Sequence, residues 1–230
     1  MKERTRSILE ASVRDFIETG NPVTSERLYK KYKFGIKPAM IRWELHDLAK
    51  KNFLSQKHPS GGRIPSDRAY RFFVEEVWNE IEKEEETREA ENLIELLLEG
   101  ERRKFVKTLA EELRLLGICY DAKEEVMHNS GFKDLIESIG ERANILNVLR
   151  DFEMIPERLC EQKSWWEKES SWPQVFVGKN PITSSSHLSV IAGKMNRGGR
   201  GDILILAVGP KRMNYEQSLR TFKNLLRLIE

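Results

Sequence analysis

ILEASVRDFIETGNPVTSERLYKKYKFGIKPAMIRWELHDL, residues 8 to 48, encodes three helices in quick succession. Ile8, Leu9, Val13, Phe16 and Ile17 recur at helical spacing, and Gly20-Asn21-Pro22 stops the run, which predicts a first amphipathic helix over 3–19. Ser25 is placed to cap a second helix, with Leu28 and Tyr32 one turn apart on one face, and Gly35 offers the backbone freedom of a tight turn. Pro38 fits the first turn of a third helix over 38–50, where no backbone donor is missed. Ile41, Leu45 and Leu48 form its apolar stripe. Lys37, Arg42, Trp43 and His46 lie opposite that stripe.

Two short helices joined by a glycine-containing turn make a helix-turn-helix unit, whose second helix is the one that enters a major groove. Phe53-Leu54-Ser55-Gln56-Lys57 then reads as a strand, His58-Pro59-Ser60-Gly61-Gly62-Arg63 as a glycine-rich turn, and Ile64-Pro65 as a short return. A hairpin directly behind a recognition helix is a wing, and its glycines let backbone approach a phosphate or the minor groove. The same residues also suit a plain three-helix bundle with a solvated basic face.

Charge divides the chain in the same place. The formal net of +2 conceals 16 Lys+Arg against 8 Asp+Glu in residues 1 to 73, a net of +8, and 23 basic against 29 acidic residues beyond, a net of −6. A basic module joined to an acidic one is the pattern of a small polyanion-binding unit followed by something else. With 230 residues, 39% hydrophobic and 33% charged, there is room for a substantial core. No run of eighteen apolar residues is present, and charges interrupt the opening MKERTRSILEASVRDFI, so neither membrane span nor export is expected and a cytoplasmic location is. Cys119 and Cys160, without a CxxC partner, read as reduced thiols.

Residues 8 to 48 and QKHPSGGRIPSDRAYRFFV (56 to 74) resemble the winged-helix domain of the HrcA family of bacterial heat-inducible transcription repressors. Further on, TLAEELRLLGICYD (108 to 121) is similar to the segment where the family's helical connector enters its GAF-like domain. VMHNSGFKDLIESIGERANILNVLRDFEMI (126 to 155) resembles the strand, Asn-rich loop and helix pair that follow. VFVGKNPI (175 to 182) and GDILILAVGPKRMNYEQSL (201 to 219) resemble the closing strands, with Gly209-Pro210, Arg212-Met213 and Tyr215 in the signature.

Departures from the family pattern are specific. Only Ala122-Lys123-Glu124 separates Asp121 from the strand beginning near Glu125, so the middle of the effector domain and its inserted subdomain are missing. Trp43 stands where Asn is usual, and Pro59 and Gly61 where Thr and Ala are usual, which implies an altered operator. Asn214 replaces Asp in the closing signature, a mild exchange at a helix cap.

The resemblance implies a sequence-specific DNA-binding repressor of heat-shock chaperone genes. Such a repressor binds an inverted repeat in double-stranded DNA as a homodimer and answers to a GroEL-type chaperonin. A two-fold inverted repeat requires two recognition helices one turn of DNA apart, or a multiple of it. Expected DNA-binding residues are Lys37, Ala39, Arg42, Trp43 and His46 on the recognition helix, facing base edges. His58, Ser60, Gly61, Gly62 and Arg63 on the wing are expected at phosphates or the minor groove. The expected fold class is α+β, with a winged helix over 1–74, a helical connector over 75–107 that is a possible site of dimerisation, and a shortened GAF-like domain with a small antiparallel sheet over 108–230.

Within the connector, Ser66 is the expected cap of a helix whose apolar face is Tyr70, Phe73, Val74, Val77, Trp78 and Ile81. Residues 75 to 91 hold nine Glu against one Lys and one Arg, which reads as a solvated face or as acid that repels DNA. Leu93, Ile94, Leu96, Leu97 and Leu98 suit a core in preference to a dimer interface. Beyond 108, strands are expected at 117–120, 174–177, 188–192 and 202–208, and helices at 132–139, 142–154 and 215–229. Asn196 to Gly201 is the expected turn of an antiparallel pair.

Enzymatic readings find little support. GxxxxGK[ST], HExxH and GxSxG are absent, the four histidines are scattered, and Gly198-Gly199-Arg200-Gly201 lies between strands, not ahead of a helix. No catalytic residue, cofactor or metal is therefore expected, nor a small-molecule effector. Trp165, Trp166 and Trp172 suit packing, or a partner patch. Two alternatives to the repressor stay open: a winged-helix adaptor that binds protein, and an enzyme with an unrecognised site.

Overall fold

The computed structural model describes residues 1–56, 61–84, 90–139, 142–162, 166–167, 173–196 and 201–227, excluding the side chains of 142–144. The chain divides into two compact units, Met1–Val77 and Trp78–Glu230.

In the first unit, α1 (Glu3–Thr19) ends at Gly20, whose left-handed backbone returns its N–H to the Phe16 carbonyl at 2.9 Å. α2 (Ser25–Lys31) is capped one residue earlier than the sequence suggests: Thr24, with extended backbone, accepts from the Arg27 N–H, and Ser25 is the first helical residue. α3 (Pro38–Lys50) has proline in its first turn as expected. The turn between them uses Gly35 at φ +67°. Ile8, Leu9, Val13, Leu28, Ile41, Leu45 and Leu48 are all fully buried, so the apolar stripes of three amphipathic helices close on one another.

β1 (Leu54–Ser55) and β2 (Ile64–Pro65) pair antiparallel, as a hairpin shorter than the sequence implies. Val23, ahead of α2, bridges to Arg63 and adds a third backbone rung. α4 (Asp67–Ile81) follows, capped by Ser66, whose hydroxyl accepts from the Ala69 N–H and donates to the Asn52 carbonyl. Tyr70, Phe73, Val74, Val77 and Ile81 on its apolar face are buried.

The second unit is built on a five-stranded sheet in the order β4-β3-β7-β6-β5, every pair antiparallel: β3 (Leu116–Asp121), β4 (Val126–Ser130), β5 (Gln174–Val177), β6 (Leu188–Met195) and β7 (Ile203–Pro210). β7 is a continuous apolar run because both of its faces are covered. Leu204, Leu206 and Val208 share a core with Val148, Ile155 and Leu159 of α8 (Arg142–Glu161), and Phe132 and Ile136 of α7 (Phe132–Ile139) pack against it. α6 (Arg102–Leu113) and α9 (Tyr215–Arg227) lie on the other face, where Gly117 meets Val106 and Leu109, and Gly193 meets Phe222 and Leu226. The result is the expected α+β class.

Three details depart from the sequence reading. α8 runs on past Met154 to Glu161 with Pro156 inside it. A mid-helix proline costs roughly 3 kcal/mol, but Ile155 and Leu159 are buried at the sheet and Trp166 donates its indole N–H to the Leu159 carbonyl, so packing sustains the helix. In α5 (Glu91–Leu98) the leucine cluster splits: Leu93, Ile94 and Leu97 are core, while Leu98 is 69% exposed. Part of the acidic run is engaged, with Glu76 paired to Arg6 and Glu84 accepting from Nε and Nη2 of Arg220 at 2.8 Å each.

Trp166 is buried, whereas Trp165 and Trp172 lie outside the described residues. Cys119 is buried and Cys160 exposed, both free thiols. Among the described residues no helix is long and apolar enough to cross a membrane.

Candidate nucleic-acid interface

Residues 39, 42, 43 and 46 follow i, i+3, i+4, i+7 spacing and so share one face of a helix. Ala39, Arg42, Trp43 and His46 are all exposed on α3, and Lys37 is exposed at its N-cap. Trp43 presents 60% of its surface, an unusual cost for an indole unless something covers it. Sequence reasoning missed Met40, 43% exposed beside it; its i, i+3 relation to Trp43 was the available signal.

The rear of the same helix is fixed by a carboxylate. Glu44 is 2% exposed, accepting from Arg4 Nε at 2.9 Å and from the Thr5 hydroxyl at 2.8 Å. Glu44 thereby ties α3 to α1, and its neighbour Trp43 is left on the outer side. A comparable tie joins α1 to α2, where buried Asp15 accepts from Arg27 Nε at 2.6 Å.

On the wing, Gly61 is exposed and Gly62 and Arg63 half-buried; His58 and Ser60 lie outside the described residues. Gly62 has a local reason to be glycine. A Cβ there would stand 2.7 Å from the carbonyl carbon and oxygen of Pro22, so no side chain fits while the Val23–Arg63 bridge is made. That bridge consists of two hydrogen bonds, Val23 N–H to Arg63 O at 2.7 Å and Arg63 N–H to Val23 O at 2.8 Å. Gln56 donates its side-chain amide to the Gly61 carbonyl at 3.0 Å, closing the wing's base.

Between α3 and the wing lies a cleft of about 430 Å³, lined by Thr24, Glu26, Arg42, Gln56, Gly62 and Arg63 among others. Arg42 and Arg63, separate in the sequence reading, are brought together here. Burial, and then the charge of Arg42, lower the Arg63 pKa from its ordinary value. The Arg63 Nε is buried without a hydrogen-bond partner. Among the described residues no three His, Cys, Asp or Glu side chains gather to hold a metal ion.

A sequence model of the HrcA protein C-terminal domain matches residues 66–219. Over 116 residues the chain is 38% identical to the heat-inducible transcription repressor HrcA of Pelotomaculum thermopropionicum, covering 50% of this chain and 32% of that protein. Over 97 residues it is 45% identical to the HrcA of Carboxydothermus hydrogenoformans, covering 42% and 28%. The chain thus spans about a third of the length of the curated relatives it matches. A crystal structure described as that of a hypothetical protein superposes with a TM-score of 0.78 at 16% identity, covering 100% of this chain and 97% of the other, a likeness of fold.

Proposed function

The chain belongs to the HrcA family, and from that premise we propose that it is a cytoplasmic, sequence-specific transcriptional repressor of heat-shock genes. It binds an inverted-repeat operator in double-stranded DNA as a homodimer. Release of the operator is coupled to a GroEL-type chaperonin, as the family resemblance implies. No catalytic step belongs to this reading.

The observation that carries it is the outer face of α3. Ala39, Arg42, Trp43 and His46 stand exposed on one helix with Lys37 exposed at its N-cap, next to a wing that carries Arg63 just ahead of its return strand. A helix of that kind enters a major groove with its side chains at base edges, while basic groups beside it bind phosphates and set its register. The charge of the first 73 residues, +8, supports the same reading by attracting a polyanion.

Selection of bound duplexes from random DNA with the purified protein tests it. Recovery of an inverted repeat is the expected result, since it reports specificity and two-fold reading together. Recovery of no common sequence would instead favour a winged-helix adaptor for a protein partner, whose affinity would be nearly independent of salt.

A further inference from the structure

We propose, resting on the DNA-binding reading above, that the cleft between α3 and the wing seats one backbone phosphate of duplex DNA. Arg42 and Arg63 hold it jointly, so that Arg42 positions the protein on the duplex and does not read a base. Arg42 projects from α3 and Arg63 stands just ahead of the wing's return strand, and both line the same 430 Å³ cleft. The backbone of Arg63 is fixed by its two hydrogen bonds to Val23, so its side chain departs from a fixed point of the fold.

Two features of the cleft are unfavourable in the free protein and are relieved by an anion. The Arg63 Nε–H is buried with no acceptor, and a buried donor left unpaired costs the desolvation of that group. Two guanidinium groups also face a shared space, with the Arg42 charge felt at Arg63. The negative charge of a phosphate in the cleft offsets both, and the planar fork of an arginine matches two oxygens of one phosphate.

The charge balance selects the kind of phosphate. Among the described residues lining the cleft, the charged side chains are Arg42, Arg63 and Glu26, a net of +1. A phosphodiester carries a single negative charge and is neutralised by that balance, whereas Glu26 opposes a doubly charged terminal phosphate. Gln56 is engaged with the Gly61 carbonyl and leaves the wall neutral there.

The test measures affinity of the intact protein for its selected operator duplex and for a random duplex across a salt series, for wild type, Arg42→Gln, Arg63→Gln and the double variant. Each single variant is expected to lose roughly ten-fold or more on both duplexes alike, as for one charge-assisted contact. The double variant loses little beyond either single, because both residues serve one phosphate. The slope of log affinity against log salt falls by about one in all three.

A second arm leaves the protein untouched. A single uncharged methylphosphonate is moved along the operator backbone, and one position per half-site is expected to weaken wild type while making both substitutions silent. Loss on the operator alone in Arg42→Gln would overturn the proposal and return Arg42 to base reading. Multiplicative losses with a slope change of about two would overturn it in favour of two separate phosphates. Wild-type protein that binds neither duplex at any salt would overturn the DNA-binding reading itself, a result distinct from the other two.

Discussion

Glu44 of α3 and Thr5 of α1 share a hydrogen bond of 2.8 Å, buried within the first unit. The carboxylate also receives Arg4, whose side chain is 43% exposed, so the ion-pair part is screened and the buried hydroxyl contact dominates. Glu44→Ala removes the acceptor and leaves the Thr5 hydroxyl unsatisfied. A loss of about 2 kcal/mol in unfolding free energy is expected, read from the shift of the urea midpoint. Operator affinity falls with it, because the orientation of α3 is no longer fixed.

Trp43 behaves in the opposite way. With 60% of its surface exposed it contributes little to the core. Trp43→Ala changes stability by no more than about 0.5 kcal/mol, as for an ordinary surface site. Its effect falls on recognition: operator binding weakens by about 1 to 3 kcal/mol, while binding to random DNA stays close to wild type. Parallel titrations of the two duplexes separate these outcomes.

Gly62→Ala is a packing test of the wing. The added methyl would stand 2.7 Å from the Pro22 backbone, which cannot swing aside as a side-chain tip does. The Val23–Arg63 rung must open or shift, and a cost of about 1 to 3 kcal/mol is expected from overpacking. Thermal melting measures it, and amide exchange at Val23 and Arg63 should quicken locally.

Asp151 gives the second unit an acid-sensitive element. Burial raises its pKa, but hydrogen bonds from the Ser184 hydroxyl, from Arg158 and from the Ser184 and Ser185 amides more than offset that, and the net shift is downward. A carboxyl whose folded pKa is depressed stabilises the fold above its unfolded pKa, and that contribution is lost as pH falls through the folded one. Stability should therefore decline from about pH 4 downward. Asp151→Asn should flatten this part of the pH profile while lowering stability at neutral pH. Urea midpoints across that range provide the measurement.

Much of the first unit was legible because its signals are local. Helical spacing, Pro38 at a helix start, Gly35 at a turn and the hairpin of residues 54–65 each act within a few residues. The buried carboxylates were not legible. Asp15, Glu44 and Asp151 look like solvated acids until folding brings Arg27, Thr5 and Ser184 to them across long stretches of chain. The helix expected over 142–154 stops short for a related reason: a proline such as Pro156 is locally costly in a helix, and only the burial of Ile155 and Leu159 reveals why α8 continues. On the recognition face, spacing identified which side chains point outward, but it gave no sign that Arg42 and Arg63 line one cleft.

The rung between Val23 and Arg63 is made entirely of main-chain atoms. The wing's attachment is thus indifferent to which side chain stands at position 63, provided a backbone N–H is available there. Scaffold and message are separable at this point of the molecule. Lineages are free to rewrite the wing's chemistry, trading a cation for an amide or a hydroxyl, without renegotiating the fold that carries it. Gly62 is the fixed point beside it, and position 63 is where the strength of the wing's grip on the duplex backbone can be varied at small structural risk.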